Sequence, residues 1–157
     1  MTGNICFIEL YLKARGSLGV ADKRGRTALH HSVANGHREL STMLCEFGSF
    51  ENLIERADAS GNTPLFAAIK YNQEEILKIL IQFNCNMFHR NARGDTCIHV
   101  AALNSSHEAL PVIAAFVTEE LFDVRNGEVM TALDIATSMQ NYDFIKSLEV
   151  IKRNITV

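Results

Sequence analysis

Asp22–His30 reads DKRGRTALH, and Asp58–Phe66 reads DASGNTPLF. Two further stretches fall into the same register: Asn91–His99, NARGDTCIH, and Asn126–Asp134, NGEVMTALD. Their threonines, Thr27, Thr63, Thr96 and Thr131, stand 36, 33 and 35 residues apart. Five residues before each comes an Asp or Asn (Asp22, Asp58, Asn91, Asn126), and two before the first three comes a glycine (Gly25, Gly61, Gly94). The agreement continues downstream. A small residue follows five after each threonine (Ser32, Ala68, Ala101, Ala136), and an acid follows twelve after (Glu39, Glu75, Glu108, Asp143). Self-similarity at such a period marks a stack of repeated supersecondary units.

Each copy reads the same way physically. Asp or Asn followed by Gly marks a turn whose tip takes positive φ. The threonine stands where an N-cap belongs, its hydroxyl available to the first-turn N–H groups. The small residue lets neighbouring helices approach closely. A break at Gly36, Asn72, Ser105 or Gln140 precedes a second helix with apolar residues at helical spacing, as in Ile76, Leu77, Ile79 and Leu80. Each unit is therefore a turn plus two short antiparallel helices. None buries its apolar face alone, so the units must stack.

This pattern resembles the ankyrin repeat, whose D-x-x-G-x-T-P-L-H opening and interhelix G-H-x-E (here Gly36-His37-Arg38-Glu39) it follows. The expected fold is all-α: an ankyrin-like solenoid of stacked helix-turn-helix units joined by hairpin-like loops. The expected organisation is one domain over 1–157, with a partial unit at 1–21 and units at about 22–57, 58–90, 91–125 and 126–157. In the partial unit, Ile5, Ile8, Tyr11 and Leu12 fall on one helical face, which suggests a segment of a longer array. Lys146, Glu149, Lys152 and Arg153 read as a polar cap at the other end. Three departures stand out. Val129 takes the place of the fourth turn glycine, with Gly127 two residues earlier. Pro111 falls inside the third unit's second helix, which it should kink or delay. Gly19, Glu55, Phe88 and Asp123 stand near the position of the hairpin asparagine that some family members hydroxylate.

Composition narrows the function. The 157 residues are 47% hydrophobic and 21% charged, as in a globular protein, and the net charge of −3 argues against direct nucleic-acid binding. No apolar tract reaches the ~18 residues of a membrane span, so no membrane insertion is expected. Cys6, Cys45, Cys85 and Cys97 are scattered without a C-x-x-C pair, and the N-terminus lacks a signal peptide's basic start. Reduced thiols in a cytoplasmic or nuclear protein are the expectation.

The histidines are the obvious candidates for chemistry, with His30, His31 and His37 close together. On a helix His30 and His31 point ~100° apart and do not converge on a zinc ion. His30 and His99 share one repeat position, and the resemblance implies that each braces the threonine beside it. Cys97 and His99 are two apart and do not face each other on a helix. There is no phosphate-cradling glycine loop and no G-x-S-x-G elbow. The expectation is a non-enzyme with no metal and no cofactor.

What remains is surface. The resemblance implies contacts from the hairpin tips and the exposed side of the first helices. The matching positions are Lys23, Arg24, Arg26 and Asn35; Asn62, Lys70 and Tyr71; Arg93, Asp95, Leu103 and Asn104; and Met139. Seven basic residues, Lys23, Arg24, Arg26, Arg56, Arg90, Arg93 and Arg125, fall in the hairpin segments and would align as a ridge. Such a ridge would attract an acidic segment of another protein. The leading expectation is a protein-interaction module within a larger signalling, scaffold or channel protein, with no small-molecule substrate. The alternative is a regulatory or inhibitory domain controlling an enzyme or transcription factor in the same assembly.

Overall fold

The computed structural model describes residues 17–155. The positions assigned to a partial first unit, Ile5, Ile8, Tyr11 and Leu12, lie outside the described residues, as does Cys6. Four helix pairs follow in order. They are α1 (Ala28–Ala34) with α2 (Arg38–Phe47), α3 (Pro64–Lys70) with α4 (Glu74–Gln82), α5 (Cys97–Leu103) with α6 (Ala109–Ala114), and α7 (Ala132–Ser138) with α8 (Tyr142–Ile155). The first helices α1, α3, α5 and α7 pack in one row, and α2, α4, α6 and α8 in a second. The fold is therefore the all-helical stack expected, two layers deep. Hairpin loops lead into the first helices, and an isolated antiparallel bridge from Ala21 to Thr27 closes the first of them.

Helix ends follow from local chemistry. Thr27, Thr63, Thr96 and Thr131 are the extended N-cap residues of the first helices, with φ between −82° and −91°. Pro64 fills the first position of α3, where its missing N–H is harmless. Each first helix then ends in a left-handed residue: Gly36, Asn72, Ser105 and Gln140, at φ 73°, 53°, 57° and 56°. That reversal folds the second helix back against the first.

The core lies between successive units. Leu29, Leu65 and Ile98, with Val33, Ile69 and Ala102, are fully enclosed between neighbouring first helices. Leu44, Leu80, Ile113 and Leu148 do the same for the second row. Each such Leu, Ile or Val contributes ~1.5–3 kcal/mol relative to exposure. Ser32, Ala68, Ala101 and Ala136 are buried where the helices approach closest, and Ser41 donates to Ser32 at 3.0 Å across that contact.

Pro111 delays its helix. It sits in the first turn of α6, where no intrahelical bond is lost, and α6 is only six residues long. The outward face of the last unit is polar at positions that are aliphatic elsewhere, with Thr137 exposed where Val33, Ile69 and Ala102 are buried. Lys146, Glu149 and Arg153 are exposed on α8, whereas Lys152 reaches Asp123 at 2.5 Å.

Candidate functional site

The four hairpins are built by one device. Asp22 Oδ1 accepts from the N–H groups of Arg24 and Arg26 at 2.8 and 3.0 Å, and Asp58 Oδ1 does so from Ser60 and Asn62 at 2.9 Å each. Asn91 Oδ1 accepts from Arg93 and Asp95, and Asn126 Oδ1 from Glu128 and Met130, at 2.9 to 3.1 Å. The tips also bond to one another: Ala59 N–H to Arg24 O at 2.8 Å, Ala92 to Ser60 at 3.0 Å and Gly127 to Arg93 at 2.8 Å. Gly61 shows why glycine is needed there. Its φ is +77°, and a Cβ would stand 2.6 Å from the Ala92 nitrogen. In the fourth hairpin Val129 takes the same conformation at φ +63°, a sterically costly one for a β-branched residue.

The histidines are tied into this scaffold. The backbone N–H of Thr27 donates to His30 Nδ1 at 3.2 Å, so Nδ1 must be the unprotonated nitrogen. The Thr27 hydroxyl lies 3.0 Å from the same atom. The proton therefore sits on Nε2, which donates to Asn62 O of the next unit at 3.0 Å. His99 repeats the arrangement with Thr96 and Met130 O. Burial holds both imidazoles below their ordinary pKa, favouring the neutral form that these bonds require.

Phe66 replaces this histidine in the second unit. It is buried edge-on against His89, ring centres 5.7 Å apart, and His89 donates back to Gly61 O at 2.8 Å. His31 contacts Asp22 at 3.0 Å, and His37 caps α2. Among the described residues no cluster of His, Cys, Asp or Glu could hold a metal ion. Cys45, Cys85 and Cys97 are buried thiols, pushed up to about 12 by desolvation, which disfavours thiolate chemistry.

A groove of about 820 Å³ runs across the first three units on the side of the first helices. It gathers Arg24, Arg26, Asn62, Lys70, Tyr71, Arg93, Leu103 and Asn104 from the positions named by sequence. Phe66, Ala67 and Val100, which sequence reasoning did not select, also line it. Their signal was present: Phe66 breaks the repeat at the histidine position.

Lys23, Asn35, Asp95 and Met139 are not part of the groove. Lys23 and Met139 are exposed elsewhere, and Asn35 is held through its side-chain bond to His31 O at 2.7 Å. Asn104 makes the matching bond to Val100 O at 2.8 Å, at the groove's edge. Asp95 is 1% exposed. Its carboxylate accepts from Asn126 at 2.8 Å, Arg93 at 3.0 Å and Asn91 at 3.3 Å, a duty that holds hairpins together.

The basic ridge divides in two. Arg90 donates to Gly94 O at 3.0 Å and to Arg125 O, Arg125 donates to Val129 O at 2.8 Å, and Arg56 reaches Gly19 O at 3.4 Å. These guanidiniums latch carbonyls. Arg26 pairs with Asp22, and Arg93 with Asp95. Arg24 and Lys70, both exposed, have no ion pair among the described residues, and Lys70 stands 5.5 Å from the Tyr71 ring centre. No helix among the described residues is long and apolar enough to cross a membrane.

A family model described as ankyrin repeats (3 copies) matches residues 1–91 and 75–155. The chain is 27% identical to the ankyrin repeat protein L371 of Acanthamoeba polyphaga mimivirus, over 90% of this chain and 19% of that protein. It is 28% identical to the potassium channel AKT2/3 of Arabidopsis thaliana, over 94% of this chain and 18% of the channel. A third relative is the nuclear factor NF-kappa-B p105 subunit of Gallus gallus, 26% identical over 82% of this chain and 14% of that protein. The chain thus spans less than a fifth of the length of each.

Proposed function

Because this chain belongs to the ankyrin-repeat family, we propose that it is a protein-interaction module that binds through its groove and performs no catalysis itself. Families built on this repeat carry many functions, so the site and not the fold must name the partner. The observation that carries the reading is the groove, which Arg24 and Lys70, without an ion pair among the described residues, line together with Tyr71 and Leu103. Unpaired cations around an aromatic and aliphatic centre suit another protein's acidic segment. The matched relatives are several times longer, which supports a module inside a larger signalling, scaffold or channel protein of the cytoplasm or nucleus.

A photo-crosslinking residue in place of Tyr71 should capture a protein from cell extract, whereas the same residue at Lys146 on α8 should not. Charge reversal at Arg24, Arg26 and Arg93 should reduce that capture, and more so at low salt. Equal yields from both faces, or capture indifferent to the reversal, would remove the groove as the binding face. The second reading is a regulatory domain acting on an effector in the same assembly. Similarity to segments of a potassium channel and of a nuclear factor subunit favours it. It predicts that the captured protein is an enzyme, channel or transcription factor whose output changes on binding.

A further inference from the structure

We propose that the groove takes an extended segment of about seven residues in which acidic and apolar side chains alternate. This rests on the groove being the binding face. The two long walls of the groove differ in chemistry. Along one wall run the hairpins, presenting Arg24, Arg26 and Arg93. Along the other run the C-terminal ends of α3 and α5, presenting Lys70, Tyr71 and Leu103.

The seven residues of α3 set the walls ~10 Å apart at 1.5 Å per residue. Successive side chains of an extended chain point to opposite sides. Laid across the first helices, over half-buried Ala67, such a chain sends odd positions to one wall and even positions to the other.

Spacing fixes the length. Neighbouring first helices pack ~10 Å apart, so Arg24 of the first unit and Arg93 of the third stand ~20 Å apart. An extended chain covers that in about six residues at ~3.3 Å each. Acids at the first and seventh positions then meet Arg24 and Arg93 on the same wall, as an even separation requires. The intervening even positions meet Tyr71 and Leu103 and favour aromatic or aliphatic side chains. The chain's net charge of −3 makes this attraction local to the groove rather than a property of the whole surface.

The test uses two fluorescein-labelled seven-residue peptides of equal composition, read by anisotropy. One alternates glutamate with leucine and tyrosine; the other holds the glutamates in one block. The alternating peptide should bind about tenfold more tightly. Arg24→Glu and Leu103→Asp should each weaken it by a similar factor, with unchanged circular-dichroism melts for Arg24→Glu. Equal affinity for the two peptides, with binding still lost in Arg24→Glu, overturns the alternation and leaves the groove reading standing. Binding that survives Arg24→Glu and Tyr71→Ala overturns both. No binding of either peptide at millimolar concentration overturns the alternation.

Discussion

Asp22 and Asp58 organise the first two hairpins, whereas Asn91 and Asn126 organise the last two. A carboxylate and a carboxamide oxygen accept the same pair of backbone N–H groups, so the turn is the same. The amide adds a donor that the acid lacks. Asn91 uses it on Asn62 Oδ1 at 3.1 Å, and Asn126 on the buried Asp95 at 2.8 Å. Arg90 and Arg125 tighten the same half by latching carbonyls. In the first half Arg24 and Lys23 make no such bond among the described residues, the Asp22 carboxylate draws the side chains of Arg26 and His31, and Arg56 latches Gly19 O only at 3.4 Å. Polar side chains therefore knit the second-half hairpins more closely, while Arg24 and Lys23 in the first stay out of ion pairs among the described residues.

The sharpest way to break this comparison is at Asp95. Asp95→Ala strips hydrogen-bond partners from buried Asn126 and Asn91 and should cost ~2–3 kcal/mol in a urea titration. Asn62→Ala, the matching position one unit earlier, should cost ~1 kcal/mol or less. Equal losses would mean that the halves are held alike.

Next come His30 and His99, the device common to both halves. Each should cost ~1–2 kcal/mol as alanine, since a cap acceptor and a bond between units vanish together. Their folded pKa values lie below the ordinary 6.5, so between the two values the unfolded chain binds more protons. The histidine contribution is complete above about pH 6.5 and declines as the pH falls from there towards the folded values. Urea midpoints at pH 7.5 and 5.5 should show that decline in the native sequence and much less of it in His30→Leu/His99→Leu.

The smallest effect concerns the fourth hairpin. Val129→Gly relieves a left-handed β-branched residue worth ~1–2 kcal/mol but adds the ~0.5–1 kcal/mol entropic cost of glycine. A rise in Tm of about 2 °C is expected. A fall would show that Val129 makes a contact that outweighs its backbone strain.

Much of this was legible in sequence because it repeats. The threonine caps, the turn glycines and the left-handed residues at Gly36, Asn72, Ser105 and Gln140 recur in register, and local chemistry fixes each. Asp95 was placed among the contact positions because the resemblance implies contacts at the hairpin tips; its buried partner Asn126 is 31 residues away. Arg90 and Arg125 were counted in a ridge, since sequence does not reveal which way a long side chain folds back. Phe66 stands where His30 and His99 stand in the first and third units, and its packing needed His89, 23 residues away, beside it.

The central claim is that charge is divided: Arg24 and Lys70 in the groove have no ion pair among the described residues, whereas Arg90 and Arg125 latch carbonyls at the second-half hairpins. Measuring both Tm and capture by the Tyr71 crosslinker in two double variants tests it directly. Arg24→Glu/Lys70→Glu should keep the native Tm and lose capture. Arg90→Ala/Arg125→Ala should lose several degrees of Tm and, below its melt, keep capture. The opposite pattern, with Tm falling in the first variant and capture lost in the folded second, would contradict the account.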